Sequence, residues 1–312
     1  MIAPKPLFML ALAPLTGLFC MWAGASAAQD APDWSYIEES RYNTILLERR
    51  ENIYYLSFSF GHRSWGQTAI DADDPDALLV PYTRRMTLAL AYADQVGAIV
   101  EIGAASGQTS GYIARAFPDA RVTPIDLDRR VREVVLEHVP GLDPGLLEFV
   151  YQDGRLFLHQ TDARFDVILI DAYRGSFVPF HLLTREFYAL TADRLKPGGA
   201  MALNIEATTM LFDSTLATLA VVFDHIDLYP MGPNVVVVAY NGPQLSDADL
   251  SDRAAALDRD YGLRYPLVDM VGSRIGSVLP SDPSMVLTDD FAPVERLSAI
   301  ARHNDHQPLG GP

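Results

Sequence analysis

Apolar positions along this chain change their period several times, and each change marks an element. Over Trp34–Ser59, aromatic and β-branched residues recur at short spacing, as in Asn43-Thr-Ile-Leu-Leu-Glu and Ile53-Tyr-Tyr-Leu-Ser-Phe-Ser-Phe, which predicts strands. Gly61–Asp74 reads as turn-rich, and Leu78–Ala93 as a single helix. From Gly97 onward, short apolar runs alternate with helical stretches. Ile99–Ile102, Val122–Ile125, Leu147–Tyr151, Val167–Ile170, Met201–Ile205, His225–Tyr229 and Val235–Ala239 are the predicted strands. Helical segments separate the first six, and a short turn at Pro230–Asn234 separates the last two. Asp247–Tyr261 is a further charged helix.

Alternation of strand and helix predicts a parallel sheet with helices on both faces, and the final close pair an antiparallel hairpin at one edge. The expected fold class is therefore α/β: a seven-stranded Rossmann-like, methyltransferase-type sheet with a small N-terminal β-sheet domain. The expected segments are a signal peptide or anchor over residues 1–28, the small β domain over 33–75, the Rossmann-like domain over 76–300 and a flexible tail over 301–312.

Composition sharpens this. The chain has 312 residues, 49% of them hydrophobic, which is ample for a packed core. A net charge of −16 argues against nucleic acid as a partner and suits a cationic ligand, although an acidic solvated surface is the preferred account of it. Lys5, the apolar run Leu7–Trp22 and the small residues Ala23–Ala28 have the layout of a secretory leader, with an uncleaved membrane anchor as the alternative. Either predicts an exported, periplasmic or membrane-anchored protein. Cys20 is the one cysteine, so a thiol nucleophile or disulfide in the folded domain is not expected. The seven histidines show no metal-binding spacing, and no metal site is expected.

Ala98–Asp126 carries the first chemistry. A buried strand leads into the small-residue turn Gly103–Gly107, a helix follows over Tyr112–Phe117, and the next strand delivers the carboxylate of Asp126. Small residues let a ligand approach the backbone, a helix N-terminus offers free N–H groups, and an acid about 20 positions on can accept ribose hydroxyls. The stretch reads as a nucleoside site, with Gly103, Ser106, Gly107 and Asp126 as contacts; from this stretch alone NAD and FAD stay open. Four acids fall at successive strand ends: Glu101, Asp126, Asp153 and Asp171. Acids at one edge of a parallel sheet converge on one cleft. There Asp126 suits ribose, Asp153 the adenine amino group, and Asp171 the reacting centre.

Gly103–Gly107, Asp126, Gln152-Asp-Gly and Asp171-Ala-Tyr together resemble the spermidine synthase (polyamine aminopropyltransferase) family. Val80-Pro-Tyr-Thr-Arg-Arg-Met, Ile170 to Phe187 and Leu287-Thr-Asp-Asp-Phe-Ala-Pro-Val-Glu resemble its bacterial spermidine-synthase-like branch. The resemblance implies transfer of an aminopropyl group from decarboxylated S-adenosylmethionine to an amine, with Asp171 as the catalytic base. It also implies that Gly103, Ser106, Gly107, Asp126, Asp153 and Gly154 bind the donor, and that Gln67 and Tyr82 line the amine site. Tyr173, next to Asp171, reads as a substrate-binding residue that stacks on or hydrogen-bonds the amine, with core packing as an equal reading. Two positions depart from the family pattern, which places aspartates where this chain has Ser106 and Arg174. Loss of the acid at Ser106 keeps S-adenosylmethionine itself, and hence methyl transfer, as an alternative. An exported, non-catalytic binding protein on the same fold is the third reading. The expected partners are a small-molecule amine and a second copy of the chain, with membrane association through the N-terminal segment. His181 reads as a helix-start or packing residue before a cleft residue, and Asp289 and Asp290 as caps or turn residues.

Overall fold

The computed structural model describes residues 32–60, 63–175, 177–276 and 286–291. The leader or anchor expected over residues 1–28, Cys20 within it and the tail over 301–312 lie outside the described residues, as do the last four residues of the C-terminal signature.

Two sheets organise the chain. The first is an antiparallel meander of β1 (Trp34–Glu39), β2 (Thr44–Arg50), β3 (Ile53–Phe60) and β4 (Arg63–Asp71). β4 corrects the reading of Gly61–Asp74 as turns. Its sequence is polar because much of it faces solvent, and pairing with β3 makes it a strand. The register shifts between Leu56 and Ser57, which oppose Thr68 and Gly66, so Gln67 is the extra residue of a β-bulge.

Next come α1 (Pro81–Met86) and α2 (Ala89–Tyr92), where one helix over Leu78–Ala93 was expected. The break has a local cause. The Thr87 hydroxyl donates to the Arg84 carbonyl at 2.7 Å, and Leu88 and Leu90 N–H groups bond three residues back instead of four. The turn lets Leu88–Ala93 bury completely against the main sheet.

The main sheet contains β5 (Ala98–Ile102), β6 (Arg121–Asp126), β7 (Val150–Tyr151), β8 (Phe165–Ile170), β9 (Leu195–Glu206), β10 (His225–Met231), β11 (Asn234–Tyr240) and β12 (Ile275–Gly276). Its order is β12-β10-β11-β9-β8-β5-β6-β7. The seven strands expected are present, and the two-residue β12 extends the edge. β11 returns antiparallel between β9 and β10, whereas β7, β6, β5, β8 and β9 run parallel. β7 is shorter than Leu147–Tyr151, because Leu147 and Phe149 pack their side chains against the turn at Gly107 instead of pairing.

Helices α3 (Gln108–Ala116), α4 (Arg129–His138), α5 (Gly154–Gln160), α6 (Arg185–Arg194), α7 (Phe212–Ala220), α8 (Asp247–Tyr261) and α9 (Val268–Val271) complete the fold. Apolar cores cover both faces of the sheet, and every residue of β8 is buried. A third core joins Ile45, Leu47, Leu56 and Ile70 of the meander to Val131, Val134 and Val135 of α4, which brings the small sheet beside the strand ends. β5 is the strand from which the connections run in opposite directions, to β6 on one side and β8 on the other. In such sheets the crevice lies at the carboxyl ends of those strands.

Candidate active site

Asp171, Asp126 and Asp153 follow the carboxyl ends of β8, β6 and β7, with the turn after β5 between them. Strands about 4.8 Å apart spread these acids along one edge of the sheet. The two ends of that edge differ in character.

At the β8 end, Asp171 is tied down on three sides. Its N–H donates to the Ile102 carbonyl at 2.8 Å, Asn204 Nδ2 donates to Oδ1 at 2.9 Å, and the Tyr82 hydroxyl donates to Oδ2 at 3.0 Å. Burial pushes the Asp171 carboxyl up to about 6, with the bonds from Asn204 and Tyr82 opposing the shift. Burial, reinforced by the Asp171 charge, drives the Tyr82 phenol well above its usual value, so it stays protonated and donates. Tyr173 OH donates to the Asn204 carbonyl at 3.2 Å. Asn204 is itself oriented by Asn234, whose Nδ2 donates to its Oδ1 at 3.0 Å.

Two further acids lie at this end. Burial pushes Glu206, at the end of β9, up to about 7. It pushes Glu101 up to about 8, even though the Ser110 N–H donates to Oε2 at 3.0 Å and the Ser110 hydroxyl also donates to it.

The turn between the ends is built for close approach. Gly103 has φ +87°, and a Cβ there would lie 2.5 Å from the Asp171 carbonyl oxygen. The N–H groups of Gly103 and Ala104 both donate to the Ile125 carbonyl, and that of Ala105 donates to Asp126 Oδ2 at 2.7 Å. Ala105 holds a left-handed φ of 46°, strain of the kind stored at functional sites. Asp126 Oδ1 accepts from the Asp128 N–H at 2.9 Å, so each oxygen keeps a lone pair for a ligand hydroxyl. Burial pushes Asp126 up to about 6. Ser106 is buried, its hydroxyl has no hydrogen-bond partner among the described residues, and its carbonyl accepts from Arg132 Nη1 at 2.7 Å.

At the β7 end, Asp153 caps α5 through the Leu156 N–H at 2.9 Å and pairs with His181 Nε2 at 2.8 Å. That pairing holds its carboxyl below the usual range, against the desolvation that would raise it.

The structure thus gathers Asp171, Tyr82 and Tyr173 into one cluster and sets Gly103, Ser106, Gly107 and Asp126 along the adjoining turn. Gln67 is apart: its Nε2 reaches the Trp65 carbonyl at 3.5 Å and makes no bond to Asp171. Its strand still approaches the site, because the Trp65 ring lies 3.6 Å from where a Gly175 Cβ would be. The close contact of Gly154 is with the protein itself, since a Cβ there would lie 2.2 Å from Ile102 Cγ2. Sequence reasoning missed Asn204 and Glu206. Their signal is a polar residue within the otherwise apolar Met201–Glu206 and an acid at its end, in register with the other strand-end carboxylates.

No family model matches the chain. It is 25% identical over 309 residues to a probable polyamine aminopropyl transferase of Bifidobacterium longum, covering 93% of this chain and 66% of that one. A polyamine aminopropyltransferase of Vibrio vulnificus is 27% identical over 191 residues, covering 60% and 64%. The chain thus spans about two thirds of the length of these curated relatives. A probable spermidine synthase from Corynebacterium glutamicum superposes with a TM-score of 0.62 at 21% identity, covering 80% of this chain and 98% of that one. That likeness establishes the Rossmann-like α/β fold with its small antiparallel sheet. The relatives add a likeness in sequence: the chain is similar to polyamine aminopropyltransferases along most of its length.

The same relatives correct the expected location. They are named polyamine aminopropyltransferases, and the likeness to them runs against the reading of an exported, periplasmic or membrane-anchored protein. Among the described residues no helix is long and apolar enough to cross a membrane.

Proposed function

We propose that this chain transfers an aminopropyl group from decarboxylated S-adenosylmethionine to a polyamine-type amine, with Asp171 as base and anchor. The observation that carries the reading is the Asp171 carboxylate, half-buried, fixed by Tyr82 and Asn204, and raised to about 6. At neutral pH it is ionised, yet basic enough to take a proton.

In the reaction the amine lone pair attacks the carbon beside the sulfonium and a C–N bond forms. The C–S bond breaks with its electrons going to sulfur, and a neutral thioether leaves without needing an acid. The proton lost by the nitrogen goes to Asp171. Tyr82 and Asn204 fix the carboxylate so that it meets the nitrogen in one orientation, and Tyr173 and Gln67 belong to the amine side. Gly103, Ser106, Gly107, Asp126, Asp153 and Gly154 form the donor side, with Asp126 accepting ribose hydroxyls and Asp153 the adenine amino group. Glu206, raised to about 7 by burial, adds negative charge for a cationic acceptor as pH rises through that value. Holding two substrates in line lowers a barrier by ~7–11 kcal/mol. General-base help adds roughly 10²–10⁴-fold. Positioning is therefore the larger contribution.

The test is formation of 5′-methylthioadenosine and a lengthened amine from decarboxylated S-adenosylmethionine and putrescine or larger amines. D171N should lower turnover by roughly 10²–10⁴-fold. Protein that binds the nucleoside yet turns over no amine contradicts the proposal.

A second reading, methyl transfer from S-adenosylmethionine, draws on the unpartnered Ser106 hydroxyl and the Arg132 cation beside it, where a donor carboxylate would find partners. Calorimetry with both donors separates the two: preference for the decarboxylated form rejects methyl transfer, and preference for the carboxylated form rejects aminopropyl transfer.

A further inference from the structure

The β7 end of the cleft is held by a chain of polar contacts that starts in the C-terminal segment. Asp289, in a short 3-10 turn over Asp289–Phe291, accepts from Arg155 Nη1 at 2.8 Å and is also paired with Arg155 Nη2. The Asp289 N–H donates to Glu186 Oε2 at 3.0 Å. The segment is seated just before this turn. Leu287 is buried, its N–H donates to the Thr218 hydroxyl at 2.9 Å, and its carbonyl accepts from the Arg185 N–H at 2.8 Å.

Arg155 Nη1 also donates to the His181 carbonyl at 3.0 Å and reaches the Thr184 hydroxyl, the N-cap of α6, at 3.4 Å. His181 Nε2 in turn meets Asp153 Oδ2 at 2.8 Å. Residues from three separate stretches, 153–155, 181–184 and 286–291, are therefore linked in one polar network that ends on the Asp153 carboxylate.

We propose that Arg155 and Asp289 are positioning residues for the donor's base: they clamp the His181 backbone so that His181 holds the Asp153 carboxylate in the orientation that reads the adenine amino group.

Two features favour a positioning role over a merely stabilising one. Both ion pairs are substantially exposed, with side-chain exposures of 25% for Arg155 and 40% for Asp289, and 47% for His181 and 33% for Asp153. Pairs of that exposure add little to stability. The geometry, in contrast, is specific. Asp289 is gripped through both Nη1 and Nη2, which takes a planar fork of donors, while Nη1 also serves a carbonyl and a helix cap. Asp153 has already given one oxygen to the Leu156 N–H, so the direction of the other is set by His181.

The inference rests on the donor assignment above, and the test keeps the two separate. Binding of 5′-methylthioadenosine and of its 6-oxo counterpart, 5′-methylthioinosine, is measured by calorimetry on the full chain for wild type, D153N, R155M, R155K and D289N. Wild type should prefer the 6-amino ligand, and D153N should lose that preference. R155M and D289N should reduce it roughly threefold to tenfold, through weaker binding of the 6-amino ligand only. They should raise donor KM while leaving the amine KM and the kcat at saturating donor unchanged. R155K, which keeps the charge but loses the fork, should behave like R155M. Equal weakening of both ligands, or no change in R155M and D289N, overturns the clamp. Wild type that binds neither ligand overturns the donor assignment itself. Thermal unfolding of each variant identifies any that has lost the fold; D289N, altered at an exposed turn, carries the test if R155M has.

Discussion

The two ends of the strand-end crevice use the same residue type to opposite effect. Asp171, at the β8 end, is desolvated by the packing around it, has only neutral donors for partners, and is raised to about 6. Asp153, at the β7 end, is half-buried beside His181 and is held below its usual range. Desolvation dominates the first and a charge-capable partner the second. A carboxylate that must accept a proton belongs in the first setting. One that must remain a hydrogen-bond acceptor across the working pH range belongs in the second. Asp126 lies between: burial raises it to about 6, while backbone N–H groups pull in the other direction. The chemistry of each acid is thus set by what surrounds it, more than by its place in a motif.

The largest disruption of this arrangement should come from the turn that separates the ends. In G103A the new methyl meets the Asp171 carbonyl at 2.5 Å and the Ala172 Cα at 2.6 Å, on a residue at φ +87°. Backbone strain and overpacking together should cost about 2–4 kcal/mol in chemical denaturation and abolish activity. Retention of wild-type stability would mean that the turn and the β8 end are not in the contact described.

Removing the neutral donors should shift the β8 end without collapsing it. The bonds from Asn204 and Tyr82 favour the ionised form of Asp171, so losing either raises its pKa further. Wild-type activity should climb as pH rises through about 6 and then level off. In N204A and Y82F that limb should move to higher pH, by roughly one unit, with kcat reduced about twofold at neutral pH. An unmoved limb would show that neither side chain supports the carboxylate.

The smallest effect concerns stability. Glu101, Glu206, Asp171 and Asp126 are all raised by burial, so the folded chain holds more protons than the unfolded one from the ordinary carboxylate range up to about 8. Stability on this account is greatest at the acidic side of that window and declines as pH rises through it. E101Q removes the group with the highest value among them, and its melting temperature should vary less between pH 5 and 8 than that of wild type. Parallel curves for the two proteins would remove Glu101 from the account.

Much of this was legible in the sequence where a single period governs an element. β5, β6, β8, β9, β10 and β11 each contain the apolar run that announced them, and α8 has the bounds its charge pattern gave. Where tertiary context decides, the reading failed. β4 is polar and exists through its pairing with β3. The helix after Leu78 breaks because a Thr87 hydroxyl and two three-residue bonds favour a turn. In the site, the strand-end acids stood out because strand topology alone brings them to one edge. Asn204 did not, since one amide in a buried strand shows its purpose only beside Asp171. Nor did Arg155 and Asp289, 134 residues apart, whose pairing depends on where the C-terminal segment docks.

The division of labour along the crevice is tested most directly by calorimetric titration of 5′-methylthioadenosine into wild type, D126N and D171N. The account predicts tight binding to wild type, a loss of roughly tenfold or more in D126N, and affinity within about twofold of wild type in D171N, which acts on the amine. Undiminished affinity in D126N, or a loss in D171N as large as in D126N, would contradict it.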